Sequence, residues 1–224
     1  MFTKKAKYSL QKLASLLLIL TLMFTSLAFV SCNKNEIEYD EEEVRKAAEK
    51  LLKNAEIVNS VFYGNGIGYL EGGNQNGVYC EANYAHLYSF GFRSLSDMKT
   101  LCQDTYSEGI SYMIFAATVD VSVDGSGNYL IARYYVPDKE PDRLMVNTNY
   151  KQIFDDKMTI DYTTLKIEGA EKDRIKLTVT ASVYSLDESK TEPQTVILNV
   201  YLVEETRGYR IDNFVFANYN DALN

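Results

Sequence analysis

Two stretches near the C-terminal end constrain the fold more than any other part of the chain. In the first, Ile175, Leu177, Val179, Ala181 and Val183 alternate with Lys176, Thr178, Thr180 and Ser182. In the second, Val196, Leu198, Val200 and Leu202 keep the same period of two. Successive side chains of a strand point to opposite faces, so this pattern buries one face of a sheet and wets the other. Residues 158–168, 174–186, 194–205 and 209–217 then read as strands, joined by turns short enough for antiparallel neighbours. Upstream, Val119, Val121 and Val123 alternate with Asp120, Ser122 and Asp124. Gly125, Ser126, Gly127 and Asn128 turn that strand into a hairpin partner over residues 129–136. A loop over 137–143 leads to a further strand over 144–150, and residues 78–92, rich in Tyr and Phe, contain another.

A half-apolar sheet needs a cover, and residues 41–62 supply one. Val44, Ala47, Ala48, Leu51, Ala55, Val58 and Phe62 recur at helical spacing, while Arg45, Glu49, Lys50, Lys53 and Glu56 fall elsewhere on the wheel. Asp40 caps this helix, with Glu43 three residues on as in a capping box. Its acidic first turn suits the positive end of the helix dipole. A second helix starts at Ser94, with Asp97 three residues later, and turns Met98, Leu101 and Cys102 inward; a short third follows over residues 110–115. Helices first and a meander of strands after them imply an α+β fold, with the first helix lying across a curved, mainly antiparallel sheet. That order of elements is similar to the cystatin-like or NTF2-like roll.

The N-terminal end addresses location. Lys4, Lys5 and Lys7 precede an apolar run over residues 13–30, and Ser31-Cys32 follows. A basic start, a short apolar stretch and a small residue are the parts of a secretory signal. With Cys32 after the small residue it resembles a bacterial lipoprotein signal, in which the cysteine becomes the lipid-bearing first residue. Phe29 and Val30 depart from that pattern. The alternatives are an ordinary secretory signal or an N-terminal membrane helix. The reading is therefore a signal over 1–31, an acidic tether over 32–40, and a single α+β domain over 41–220. The tether is too polar to order itself.

Four of the 23 basic residues (Lys4, Lys5, Lys7 and Lys12) and none of the 31 acidic ones precede residue 32, which leaves 19 against 31, a formal −12. A surface this acidic argues against nucleic acid, whose affinity rests on Lys and Arg at phosphates. It favours a basic partner, through an attraction that weakens with salt. The 18 Tyr and absent Trp suit either a sheet with one wet face or an aromatic surface for a partner or glycan. Beyond Cys32 the remaining cysteines are Cys80 and Cys102. They are either a disulfide, adding about 3 kcal/mol through loop closure, or two small buried thiols.

Few residue groups carry chemistry. The sole histidine, His86, lacks acidic or Cys partners at ligand spacing. On an unbroken strand Cys80 and His86 would stand roughly 20 Å apart, too far to act as a nucleophile and base. Glu41-Glu42-Glu43 and Asp155-Asp156 lack the spacing of a calcium loop, and nothing forms a zinc cluster. The run Gly64-Asn65-Gly66-Ile67-Gly68 superficially resembles a phosphate-binding loop. A helix precedes it, whereas that mechanism needs a strand before and a helix after. These readings imply no enzyme, no metal and no cofactor. The glycine-rich loop onward to Gly77 is either functional or merely mobile; as an interaction surface it offers Tyr69 as an aromatic anchor, Glu71 as a charge and Asn74 as an amide.

Three stretches carry a family resemblance. They are residues 54–66, ending in Phe62-Tyr63-Gly64-Asn65-Gly66; Phe92-Arg93-Ser94-Leu95-Ser96-Asp97-Met98-Lys99; and Gly208-Tyr209-Arg210-Ile211-Asp212, where Tyr stands in place of the usual Trp. Their order and spacing are similar to the IseA (YoeB) family, inhibitors of cell-wall D,L-endopeptidases. The resemblance implies a membrane-anchored extracytoplasmic protein that restrains a peptidoglycan hydrolase and has no chemistry of its own. It assigns no contact residues. The alternative expectation is a roll that binds a small ligand or a wall fragment.

Overall fold

A computed structural model describes residues 38–119, 122–123, 129–130, 132–150, 158–183 and 192–216. Cys32, the signal over 1–31 and the Asp155-Asp156 pair lie outside them.

Helix α1 (Glu41–Phe62) begins where the Asp40 carboxylate accepts from the N–H groups of Glu42 (2.8 Å) and Glu43 (3.0 Å). Those donors have no partner within the helix, so the cap satisfies them locally. Val44, Ala48, Leu51, Leu52, Ala55, Val58, Val61 and Phe62 are buried along one side. Tyr39 also packs against the core, so the expected tether is tied down at its end.

The meander is the other half of the core. Strands β7 (Met158–Glu171), β8 (Arg174–Val183), β9 (Gln194–Glu205) and β10 (Gly208–Ile211) pair antiparallel in the order β10-β9-β8-β7. Every second residue of β8 from Ile175 to Val183 is buried, each such side chain contributing about 1.5–3 kcal/mol. Helix α1 contacts both outer strands, β7 and β10, so it crosses the sheet, and its buried side joins the sheet's in one apolar cluster. The register of β7 shifts between Asp161 and Lys166. There the backbone N–H and hydroxyl of Thr163 donate to Asp161, and the Thr180 N–H donates to the Thr164 hydroxyl.

Helices α2 (Tyr84–Ser89), α3 (Leu95–Thr105) and α4 (Glu108–Thr118) follow α1 in the chain. Helix α3 has the expected capping box: Ser94 accepts from Asp97 N–H and Asp97 accepts from Ser94 N–H. A second sheet, in the order β1-β2-β6-β5, is built from β1 (Gln75–Asn76), β2 (Tyr79–Glu81), β5 (Tyr134–Tyr135) and β6 (Met145–Asn147). The hairpin strands β3 (Ser122–Val123) and β4 (Tyr129–Leu130) pair as anticipated.

Several boundaries differ from expectation. The stretch 78–92 holds only a three-residue strand and then α2, because Asn83 accepts from the His86 N–H and starts a helix. The strand expected over 129–136 breaks where Arg133 N–H donates to Thr118 O at the end of α4. The last strand stops at Ile211, because Asn213 bonds laterally to Tyr201 N–H and Asn199 O instead of continuing the ladder. Helix α4 runs to Thr118 rather than 115. These elements give a mixed α+β architecture with antiparallel sheets. Among the described residues no helix is long and apolar enough to cross a membrane.

Candidate functional site

The loop after α1 is held at both ends. Beyond Tyr63 the chain turns through Gly66, whose φ is +67°. A Cβ there would lie 1.9 Å from Arg133 Nη2, so only glycine fits. Arg133 is 5% exposed. Its Nη2 donates to Gly64 O at 2.7 Å, and its guanidinium lies 4.8 Å from the Tyr150 ring. Tyr134 completes the anchorage: its hydroxyl donates to Val61 O (2.6 Å) and accepts from Ile67 N–H (2.8 Å). Burial pushes that hydroxyl up to about 12. The glycine run therefore closes a helix end against a buried arginine, which is a different task from cradling phosphate.

Farther along, Gly68 N–H donates to His86 Nδ1 at 3.0 Å. An accepting Nδ1 puts the proton of the neutral imidazole on Nε2. The histidine also lies 5.2 Å from the Phe90 ring. It is a loop anchor, and among the described residues no group of three His, Cys, Asp or Glu is placed to hold a metal. Leu70 N–H donates to Glu81 O, and Asn74 donates its side-chain amide to the Glu81 carboxylate at 2.9 Å.

Of the three residues singled out in this loop, Tyr69 (44% exposed) and Glu71 face solvent, whereas the Asn74 amide is engaged by Glu81. The loop is thus held by hydrogen bonds and bears Tyr69 and Leu70 at its surface.

Cys80 and Cys102 are free thiols, so of the two readings left open the disulfide is not formed. Cys80 is buried in β2. Cys102 is buried in α3 with its sulfur 3.8 Å from the Ser111 hydroxyl, and burial raises its thiol to about 12. A thiol held neutral is a poor nucleophile. In the folded protein from residue 33 onward, neither cysteine is expected to react appreciably with a disulfide reagent within minutes at neutral pH. Both should react on addition of guanidinium. A fast native reaction at either thiol would contradict the burial.

A feature the sequence reading missed is an open groove of about 730 Å³ between α4 and the β9–β10 turn. It is lined by Gln103, Glu108, Tyr112 and Phe115 on the helical side and by Glu205 and Arg207 on the turn. The Glu205 carboxylate accepts from Glu108 N–H at 3.3 Å and so meets the positive end of α4. Arg207 Nη1 lies 3.5 Å from Asp104, which also faces Arg210 at 3.5 Å. Helix α4 buries Ile110, Ser111, Ile114, Phe115 and Thr118, yet its outer side carries Tyr112, 70% exposed, and Met113, 47% exposed. Two large apolar residues on the solvent side of a helix were the available signal. The turn that completes the groove lies some ninety residues away, out of reach of any local pattern.

The fold and these surfaces define an α+β domain with a hydrogen-bonded aromatic loop and an open groove. No family model matches the chain, and no curated protein matches it either.

Proposed function

We propose that the chain is an extracytoplasmic lipoprotein, anchored to a bacterial membrane through Cys32, that binds and inhibits a cell-wall D,L-endopeptidase. In this reading the domain is a roll of the cystatin-like or NTF2-like kind used as a protein-binding module, with no cofactor. The observation that carries it is the way the sheet is used. The inward face of the meander is filled by α1, with Leu177, Ala181, Val183, Val200 and Leu202 fully buried. A roll that cradles a small ligand needs that face open. What this domain offers instead is outward: Tyr69 and Leu70 on a loop fixed by hydrogen bonds, which lowers the entropy lost on binding a protein. The acidic balance suits a basic partner.

The test uses residues 33–224, which contain the whole compact unit 37–224, titrated into a purified D,L-endopeptidase digesting peptidoglycan. Stoichiometric loss of cleavage is expected, relieved as salt rises from low to moderate concentration. Unchanged cleavage across several such enzymes, with no complex detected, would overturn the reading and favour a roll that binds a small ligand or wall fragment.

A further inference from the structure

We infer that the groove between α4 and the β9–β10 turn is a docking surface for a basic segment, bearing Lys or Arg, of the protein's partner. This rests on the protein-binding reading above and deepens it by naming the surface and the chemistry that fills it.

The argument starts from α4. An amphipathic helix on a folded domain ordinarily keeps large apolar residues on its inner side. Here Tyr112 lines a cleft of about 730 Å³, and its neighbour Met113 is also exposed. Tyr and Met are both enriched in protein interfaces, Tyr for its rigid amphipathic ring and Met for its adaptable thioether.

The charges select the occupant. Two carboxylates, Glu108 and Glu205, line the cleft. Glu205 already accepts from Glu108 N–H at the start of α4, and the arginine beside them, Arg207, shares Asp104 with Arg210. Lys99 lies over the Phe115 ring, 5.3 Å from its centre, at the helical wall. A cation can therefore approach the Glu108 carboxylate and the outer side of Glu205, with the exposed Tyr112 ring lining the same cleft. An acidic segment would meet these carboxylates and, around them, a chain of formal charge −12 beyond residue 31, counting 19 basic against 31 acidic residues. The surface therefore discriminates between partners by charge as well as by fit.

The experiment has two arms on the 33–224 protein. In the first, a fluorescein-labelled peptide rich in Lys and Arg with a central Leu is titrated in, and binding is read by anisotropy and by amide shifts. The shifts are expected to fall on Glu108, Tyr112, Met113 and Glu205. Tyr112→Ala should weaken binding about tenfold. Glu205→Lys should weaken it further and flatten its salt dependence. Ile197→Ala, an exposed apolar change on the meander away from the groove, serves as control and should bind as wild type. Tyr112 is exposed enough for its replacement to leave the thermal midpoint in place, which separates lost docking from lost folding. In the second arm the same variants are titrated into the endopeptidase assay. Inhibition that is equally strong with Tyr112→Ala and Glu205→Lys overturns the groove while leaving the inhibitor reading intact. Peptide binding at the groove without any inhibition does the reverse. Peptide shifts spread over the acidic surface, unaffected by Tyr112→Ala, also overturn the groove.

Discussion

Replacing Gly66 by Ala should lower the stability of the domain by about 3 kcal/mol, read as a shift of the urea midpoint at unchanged slope. Two costs combine. At φ +67° a Cβ crowds its own backbone, a penalty of roughly 1 kcal/mol. The same Cβ would fall 1.9 Å from Arg133 Nη2 and 2.3 Å from its Cζ. Arg133 cannot swing aside freely, because it is buried and bonded to Gly64 O. Its other terminal nitrogen, Nη1, is buried as well. The two costs separate in a double-mutant cycle. In an Arg133→Ala background, adding Gly66→Ala should cost only the backbone part, about 1 kcal/mol. If Gly66→Ala is as stable as the parent, the packing of the loop on Arg133 is wrong.

Tyr134→Phe should be nearly as severe, at about 3 kcal/mol. The ring stays, and with it the edge-on contact to Phe62 at 6.2 Å. Only the hydroxyl goes, and it serves two buried backbone groups, Val61 O and Ile67 N–H. Each would be left unsatisfied away from water, at about 1–3 kcal/mol apiece. Hydrogen exchange gives the local readout: the Ile67 amide should lose protection more than amides of β8. Equal loss everywhere would mean that the hydroxyl does not hold the loop.

What was legible in the sequence was what neighbours in sequence decide. Asp40 and the Ser94–Asp97 pair announce helix starts because a cap is completed within three residues. The period of two in residues 174–202 fixes strand, face and pairing together, and the bounds expected for β9 are the observed ones. The small sheet was not legible. Its strands are two or three residues long, and β2 finds its partner β6 more than sixty residues later. No periodicity develops over so short a run. Asn83 was a cap signal hidden among aromatic residues that favour strands. The candidate surfaces divide the same way. Tyr69 and Glu71 were found as exposed loop residues, whereas the groove needs α4 and the β9–β10 turn side by side.

The placement of α1 also sets an order of events. Of the described elements this helix emerges first during synthesis, with its apolar side complete. Helix α3 packs on it first, where Asn59 donates to the Tyr106 hydroxyl, and its sheet partners come much later: Arg45 bonds to Leu165 O, 120 residues on, and Glu56 to Tyr162, 106 residues on. The meander needs no such wait, since two-residue turns join β7 to β8 and β9 to β10. Local pairings form fast and distant ones slowly. The sheet can therefore assemble as a unit, and the docking of α1 onto these late strands closes the fold. Until then the part of α1's apolar side that the strands cover stays exposed, and a chaperone that protects the nascent protein has a target there.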